Sequence, residues 1–590
     1  MVSEELFQAA MVHHQAGRLR EAEAMYREIL AEQPEDADVL QLLGIAVFHQ
    51  GRMPEALELL DRAAGIDPEA PDYHCNRGMI LSVLGRPSEA IAEIERALEL
   101  KGDYVEAHYQ LAHALGANGK NAEAIAAYRR ALALRPEFAE AWNDMGVLVA
   151  VKRETDAAIE AFQKAVALRP DYLEGWQNLA KGLREAKRVE EEIAARRRVV
   201  ELKPDSDDAF SELSYAYSET RRMEEALAAI LKAVELRPDS AEAQSNLGTT
   251  YHKMGRISEA IASHRRALEL NPQSAQAHLN LSLLYLLTDD YETGWSEYEW
   301  RWRVLRPIVP EPRFSRTMWD GSDLGGRRIL LHPEGGYGDT IQFVRYAPLV
   351  AARGGQVVLG CAEELFRLLQ TLDGVAELAV TGAEIPKFEV HCPLLSLPRV
   401  LKTTAENPPA TVPYLHADAS LVRRYQMAME EIAAPLKVGL VWAGRPGLHE
   451  GGERSIPLAR MARLAKIPNV SFFSLQKGAP AEQIRSLPVE WKLTDWTNEL
   501  RDFADTAALV SNLDLIISID TGMAHLCGAM GKPVWVFLPY VADWRWGMKG
   551  TRSAWYPTMR LFRQPGEGDW ETPLSQVEAA LRELAGGKKV

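Results

Sequence analysis

Along residues 3–305 the small and apolar positions fall on a fixed beat, and from Arg327 the beat changes. Gly17, Gly51, Gly85 and Gly119 stand 34 residues apart, Gly255 shares their register, and Arg153, Lys187, Arg221 and Asp289 fill the other slots. Ala22, Ala56, Ala90, Ala124, Ala158, Ala226 and Ala260 recur on the same period, as do Pro34, Pro68, Pro136, Pro170, Pro204, Pro238 and Pro272, with Gly102 replacing one proline. The glycine slot suits a tight turn between two helices, where positive φ costs little. The alanines let the paired helices approach, and each proline ends one pair and begins the next. One such pair cannot bury its apolar face alone, so the period predicts a stacked α-solenoid of eight complete units and a degenerate ninth. Glu192 stands in an alanine slot and predicts looser packing in the sixth unit.

From Arg327 short apolar runs alternate with amphipathic ones. RRILLHP reads as a strand, EGGYGD as a turn, TIQFVRYAPLVAARG as a helix and QVVLGC as the next strand. A second series begins at KVGLVWAG and runs through VSFFSLQKG and LDLIISID to VWVFLP. Strands alternating with helices imply parallel sheets, here two doubly wound units with a cleft at the carboxyl ends of their strands. The expected organisation is a solenoid over 1–305, a linker over 306–326 and α/β domains over 327–433 and 434–590. The aromatic ninth unit (Trp295, Tyr298, Trp300, Trp302) is expected to cap the solenoid and dock it on the next domain.

Composition narrows the functional classes. A net charge of −16 over 590 residues argues against generic binding to nucleic-acid backbones. The four cysteines are widely spaced, which excludes a CxxC metal pair and predicts a reducing, cytoplasmic setting. No apolar run reaches membrane-spanning length, and the start MVSEELFQAAMVHHQ lacks the pattern of a secretory leader.

The Gly/Ala/Pro period resembles the tetratricopeptide repeat (TPR). One register on the first helices carries Asn76, Gln110, Asp144, Asn178, Glu212, Asn246 and Asn280, each 34 residues after the one before. In the TPR pattern this position faces the groove, where carboxamides bond the backbone of an extended peptide whatever its sequence. The array is similar to the TPR arm of eukaryotic O-GlcNAc transferase. Asp144 and Glu212 interrupt the amides and would favour basic segments; the bland alternative is that asparagine is common at this position.

The second half resembles the heptosyltransferase-like glycosyltransferases, on DTGMAHLCGAMGKPVW in its second unit and EGGYGDTIQF in its first. That likeness implies the two-domain GT-B fold and a nucleotide-sugar donor held mainly by the second domain. TPR arrays fused to such a domain are similar to bacterial protein glycosyltransferases, including those acting on flagellin. The likeness implies that Asp339 is the general base, although an aspartate before a helix is also an ordinary N-cap. Glu334, Gly335, Gly336 and Gly338 would form the acceptor loop. Asp520, Thr521 and Gly522, at a strand-to-helix turn, would seat the donor phosphates, with His525 as catalytic donor or imidazolium, or else a buried structural histidine. Arg445, His449 and Arg454 on a Gly-rich loop, and Gln476 and Lys477 after the next strand, would complete the donor site. DWRWG, following the last strand, would either close over the donor or pack the domain interface.

The sequence reading is therefore a metal-independent, cofactor-free transferase, inverting by family expectation, with a nucleotide-sugar co-substrate and an acceptor protein in the groove, flagellin foremost. The rivals are a glycan- or lipid-precursor transferase with a docking arm, and a non-catalytic scaffold.

Overall fold

The computed structural model describes residues 2–305, 316–409, 411–430, 432, 435–444, 454–488 and 490–587. The chain forms two compact units, Met1–Leu236 and Arg237–Val590. The first is seven antiparallel helix pairs, from Val2–Gln15 with Leu19–Glu32 to Asp207–Glu219 with Met223–Leu236.

The repeated positions do what their chemistry suggests. Ala22, Ala56, Ala90, Ala124 and Ala158 are fully buried between paired helices, so larger side chains there would overpack the contact. Every turn slot is left-handed: φ is 70° at Gly17, 84° at Gly51, 72° at Gly85 and 75° at Gly119. Arg153 (62°), Lys187 (59°) and Arg221 (59°) adopt the same conformation without being glycine. Pairing and packing outweigh the roughly 1–2 kcal/mol that an L side chain costs there.

The sixth unit is not loosely packed. Glu192 is buried at 3% exposure and paired with Arg196 at 2.7 Å and Arg184 at 3.3 Å. Both arginines reach Glu212, at 3.0 and 3.2 Å. An ion network replaces the alanine contact, as a buried carboxylate requires.

The second unit begins with the helices Ala241–Lys253, Ile257–Leu270, Ala275–Leu287, Tyr291–Tyr298 and Arg301–Leu305. The turn slots continue through them, with φ 72° at Gly255 and 66° at Asp289. A five-stranded sheet follows: β1 (Thr317–Met318), β2 (Arg328–His332), β3 (Gln356–Cys361), β4 (Val375–Val380) and β5 (Val390–Pro393). Its order is β1-β5-β2-β3-β4, with every pairing parallel.

The six-stranded sheet holds β6 (Leu436–Leu440), β7 (Val470–Ser474), β8 (Leu493–Asp495), β9 (Leu515–Ile519), β10 (Val534–Leu538) and β11 (Met559–Arg563). Its order is β11-β10-β9-β6-β7-β8, again all parallel. Counted from β6, this is the 3-2-1-4-5-6 order of dinucleotide-binding sheets, whose direction reverses between β6 and β9. Strands LIISI and VWVFL are buried along their whole length, as strands covered on both faces must be. The expected solenoid followed by two Rossmann-like units is thus the observed architecture.

The helical end of this unit and both sheets share one apolar core. Trp295 lies edge-on to Trp544 at 5.1 Å and to Phe343 at 5.9 Å, and Tyr291 stacks on Trp555 at 6.0 Å. Arg301, 1% exposed, forks onto Glu334 with bonds of 2.7 and 2.8 Å and also donates to Ser396 Oγ at 2.8 Å. The aromatic ninth unit therefore docks the helices onto the sheets.

Candidate functional site

Each sheet reverses direction at one place, and each reversal carries one of the conspicuous loops. In the first sheet β2 lies between β5 and β3, and the chain leaves β2 through Pro333–Gly336 into the helix Tyr337–Phe343. In the second, β9 lies beside β6 and leaves through Asp520–Thr521 into the helix Gly522–Ala529. The two helix starts touch. A Cβ on Gly338 would stand 3.0 Å from His525 Cδ2 and 3.3 Å from Gly522 Cα. Only glycine permits that approach without a shift.

Asp339 is in the first turn of its helix, and its Oδ2 accepts from Gly336 N at 2.9 Å. A Cβ on Gly335 would collide with this carboxylate, so that glycine makes room for it. Asp339 Oδ1 accepts from Arg545 Nη2 at 2.6 Å, a bond from one sheet's loops to the other's. Arg545 also donates to Gln342 Oε1 at 2.7 Å and to both oxygens of Asp543, at 3.0 and 3.2 Å. Burial opposes its charge, but Asp543 and Asp339 hold the guanidinium firmly protonated.

Across the contact, Thr521 is the N-cap of the second helix but makes no side-chain capping bond. The first backbone N–H groups there keep their polarity for an anion. Asp520 is buried, and its Oδ2 pairs with Arg454 Nη1 at 3.2 Å. Burial first, then the charge of Asp543, push its carboxyl up to about 6 against the pull of Arg454.

His525 is buried, stacked on Trp546 at 5.4 Å, with Nδ1 3.0 Å from Tyr556 Oη. Burial, then Arg545, Arg345 and Arg454, hold its pKa well below the ordinary imidazole value. The ring is therefore neutral, and of the expected roles only a neutral donor or a packed histidine is compatible with this setting. Arg345 is itself buried, bonded to the carbonyls of Gln342 (2.8 Å), Trp555 (2.9 Å) and Pro409 (3.2 Å) and to Tyr414 Oη (3.0 Å). It forms no ion pair with a carboxylate among the described residues, and its charge is one of those that disfavour protonation of His525.

Other sequence candidates are occupied with structure. Gln476 uses its full capacity on backbone: Oε1 accepts from Trp442 N (3.1 Å) and Ala443 N (2.8 Å), and Nε2 donates to Ala443 O (3.0 Å) and Lys477 O (3.2 Å). It braces the chain leaving β6. Lys477 Nζ donates to the Leu500 carbonyl. Glu334 is taken by Arg301 and faces the helical end, while Gly336 anchors Asp339. Arg445 and His449 lie outside the described residues; the chain on either side of them is pinned by Gly444 N to Ser455 Oγ at 3.1 Å and Ile456 N to Trp442 O at 2.9 Å. Of DWRWG, Trp544 and Trp546 are buried in the interface.

In the first unit, the groove register is partly self-satisfied. Asp144 accepts from Tyr109 Oη at 2.7 Å, His113 Nε2 at 3.1 Å and Asn143 Nδ2 at 3.1 Å. Burial would raise its carboxyl, but the bonds from His113 and Tyr109 hold it low. Asn178 donates to Asn143 Oδ1 at 3.0 Å, while Asn76 and Gln110 are half-buried. With Asp144 bonded and Glu212 paired to two arginines, neither carboxylate is idle. In the second unit Asn246 is exposed, and Asn280 bonds Thr249 Oγ1 at 3.3 Å and Gln276 Nε2 at 2.8 Å.

The sequence singled out Arg545 within DWRWG but not its bond to Asp339, and it offered neither the tyrosine behind His525 nor the buried Arg345. Arg545 stands in a motif that the sequence displays; Tyr556 and Arg345 carry no local signal.

Comparisons with known proteins add the following. Models of the tetratricopeptide repeat match residues 7–71, 71–104, 109–172, 153–207, 222–255 and 241–274. Protein FlbA of Caulobacter vibrioides is 28% identical over 315 residues, covering 50% of this chain and 52% of that protein, so the chain spans about half the length of this relative. Among solved structures, YrrB, described as a TPR protein with an unusual peptide-binding site, is 22% identical at a TM-score of 0.29, covering 31% of this chain and 95% of that one. The C-terminal part of a TPR protein from Cytophaga hutchinsonii is 17% identical at a TM-score of 0.36, covering 40% and 98%. The N-terminal half of this protein is a tetratricopeptide-repeat array, and an α/β part with two parallel sheets follows it.

Proposed function

We propose that the α/β part transfers a glycosyl group from a nucleotide-sugar to a hydroxyl of a protein recruited by the TPR array. The observation that supports this most is the meeting of the two switch-point loops, with a carboxylate on one side and an uncapped helix start on the other. Asp339 accepts the proton of the acceptor hydroxyl as it attacks the sugar. Thr521, the Gly522 amide and Arg454 receive the donor phosphates, and Arg445 and His449 are the further groups proposed to bind them. Asp520 orients Arg454. Neutral His525 donates from Nε2 to the leaving phosphate oxygen, with Tyr556 fixing the ring. Guanidiniums carry the charge compensation in this route, so it calls for no metal and no further cofactor.

The amides of this register, Asn76, Gln110 and Asn178 in the first unit and Asn246 and Asn280 in the second, are each proposed to bond the backbone of the acceptor. Asp144 and Glu212 contribute to the groove through the side chains they position rather than as open carboxylates. Flagellin is the first acceptor to test, on the family resemblance.

Intact-mass measurement of flagellin co-expressed with the protein tests the reading. A discrete sugar mass is expected with the native chain and its loss with Asp339→Ala. An unchanged mass shift in Asp339→Ala would remove the base assignment. No thermal shift with any nucleotide diphosphate would favour the scaffold reading.

A further inference from the structure

Arg545 is the side chain through which the two sheets' loops join at the site. Its backbone N–H bonds Asp543 Oδ1 at 3.0 Å, and its guanidinium grips both oxygens of the same aspartate. Arg563 ties down the loop beyond it, donating to the carbonyls of Trp546, Gly547 (3.0 Å) and Gly550 (3.0 Å). The grip on Asp543 is local, made by Nη1 on both carboxylate oxygens and reinforced by the backbone N–H. The bond to Asp339, at 2.6 Å, is a single bond that crosses to the other sheet's loop, and the two carboxylates are similarly open, 31% exposed for Asp339 and 28% for Asp543. Of the two carboxylates, Asp543 keeps the cation in place and Asp339 is the one that can leave.

We propose that Arg545 is exchanged between Asp339 and the diphosphate of the donor, so that donor binding frees Asp339 Oδ1 for the acceptor hydroxyl. This rests on the reading of the cleft as a nucleotide-sugar site. A guanidinium already neutralised at one nitrogen by Asp543 retains donors that match a phosphate oxygen, and diphosphate outbids a lone carboxylate for them by its greater charge. Arg454 and the start of the helix Gly522–Ala529 lie beside the same contact and would hold the rest of the anion. The consequence is order: the donor binds first, and the carboxylate becomes available only when there is a sugar to transfer.

The test uses inorganic pyrophosphate and the full chain, with affinities from titration calorimetry. Pyrophosphate must displace Asp339 in the native protein, so Asp339→Asn, nearly isosteric, is expected to bind it about five- to tenfold more tightly. Simple relief of repulsion between two anions would give the same sign, and a double-mutant cycle separates them. Under exchange the gain vanishes when Arg545→Gln is already present; under repulsion it persists. Wild-type far-ultraviolet dichroism and a cooperative melt are required of each variant, and Arg545→Met, which likewise removes the cation, replaces Arg545→Gln in the cycle if the latter does not fold. A gain that survives in the Arg545 variant, or no gain in Asp339→Asn alone, overturns the exchange while leaving the donor site standing. Pyrophosphate and nucleotide diphosphates binding to none of the proteins would overturn the donor site and the exchange together.

Discussion

Asp520 pairs a buried carboxylate with one arginine, and its titration can be followed in stability. Its folded value of about 6 lies above the ordinary 3.8. Below 3.8 both folded and unfolded chains hold the proton. Between 3.8 and about 6 the unfolded chain has lost it and the folded chain has not, so this group's contribution to stability falls as pH rises through that window. Above about 6 the full penalty of a buried charge remains. Asp520→Asn is therefore expected to melt higher than the native protein at pH 7, with the difference shrinking toward pH 4. A difference independent of pH would show that the carboxyl titrates normally. The same variant should weaken anion binding, because Arg454 loses its orienting partner. The placement of Asp339, Asp520 and His525 at two strand-to-helix turns was legible in the sequence, because such turns put polar residues at sheet ends. That Gln476 braces backbone and not a ligand was not legible, since its four bonds depend on how the chain leaves β6. Nor was Arg301, whose partner Glu334 stands 33 residues later.

At the scale of elements, the solenoid's turns test the cost of the left-handed region directly. Lys187 holds φ 59° where five other repeats place glycine. Lys187→Gly is expected to stabilise the first unit by about 0.5–1 kcal/mol, the relief of backbone strain exceeding the entropy glycine adds to the unfolded chain. Gly85→Ala should cost about 1 kcal/mol, since nothing crowds its Cβ and only the backbone conformation is at issue. Urea unfolding of the full chain, followed by circular dichroism, reads both; opposite signs would mean that the turns are set by neighbouring contacts instead. The period announced these turns, because glycine occupies enough slots to define the register. It did not announce the sixth unit. A glutamate in an alanine slot reads as a defect until Arg184, Arg196 and Glu212 are seen around it, and those residues come from three different helices.

For the whole molecule, the division at Leu236 and Arg237 matters more than the change of sequence pattern near residue 306. The last helices belong with the sheets: Trp295 lies among Phe343 and Trp544, and Arg301 is buried on Glu334. A truncation that removes residues 1–236 is expected to fold, bind nucleotide diphosphate and lose modification of a protein acceptor. One that removes residues 1–290 strips helices from a shared core and should aggregate. Solubility, melting and acceptor mass shifts of the two truncations decide this, and a soluble, active shorter fragment would contradict it. The pattern of the chain revealed both architectures but not this division, because repeats on either side of it follow the same 34-residue rule.

That continuity of rule across Leu236 bears on how such a protein changes over generations. The turn slots keep one backbone conformation from Gly17 to Asp289 whichever residue fills them. A duplication or loss of one 34-residue unit before the boundary would meet matching helix ends on both sides. Recombination between repeats would thus lengthen or shorten the repeat array in whole helix pairs, while the helices that share a core with the sheets stay as they are.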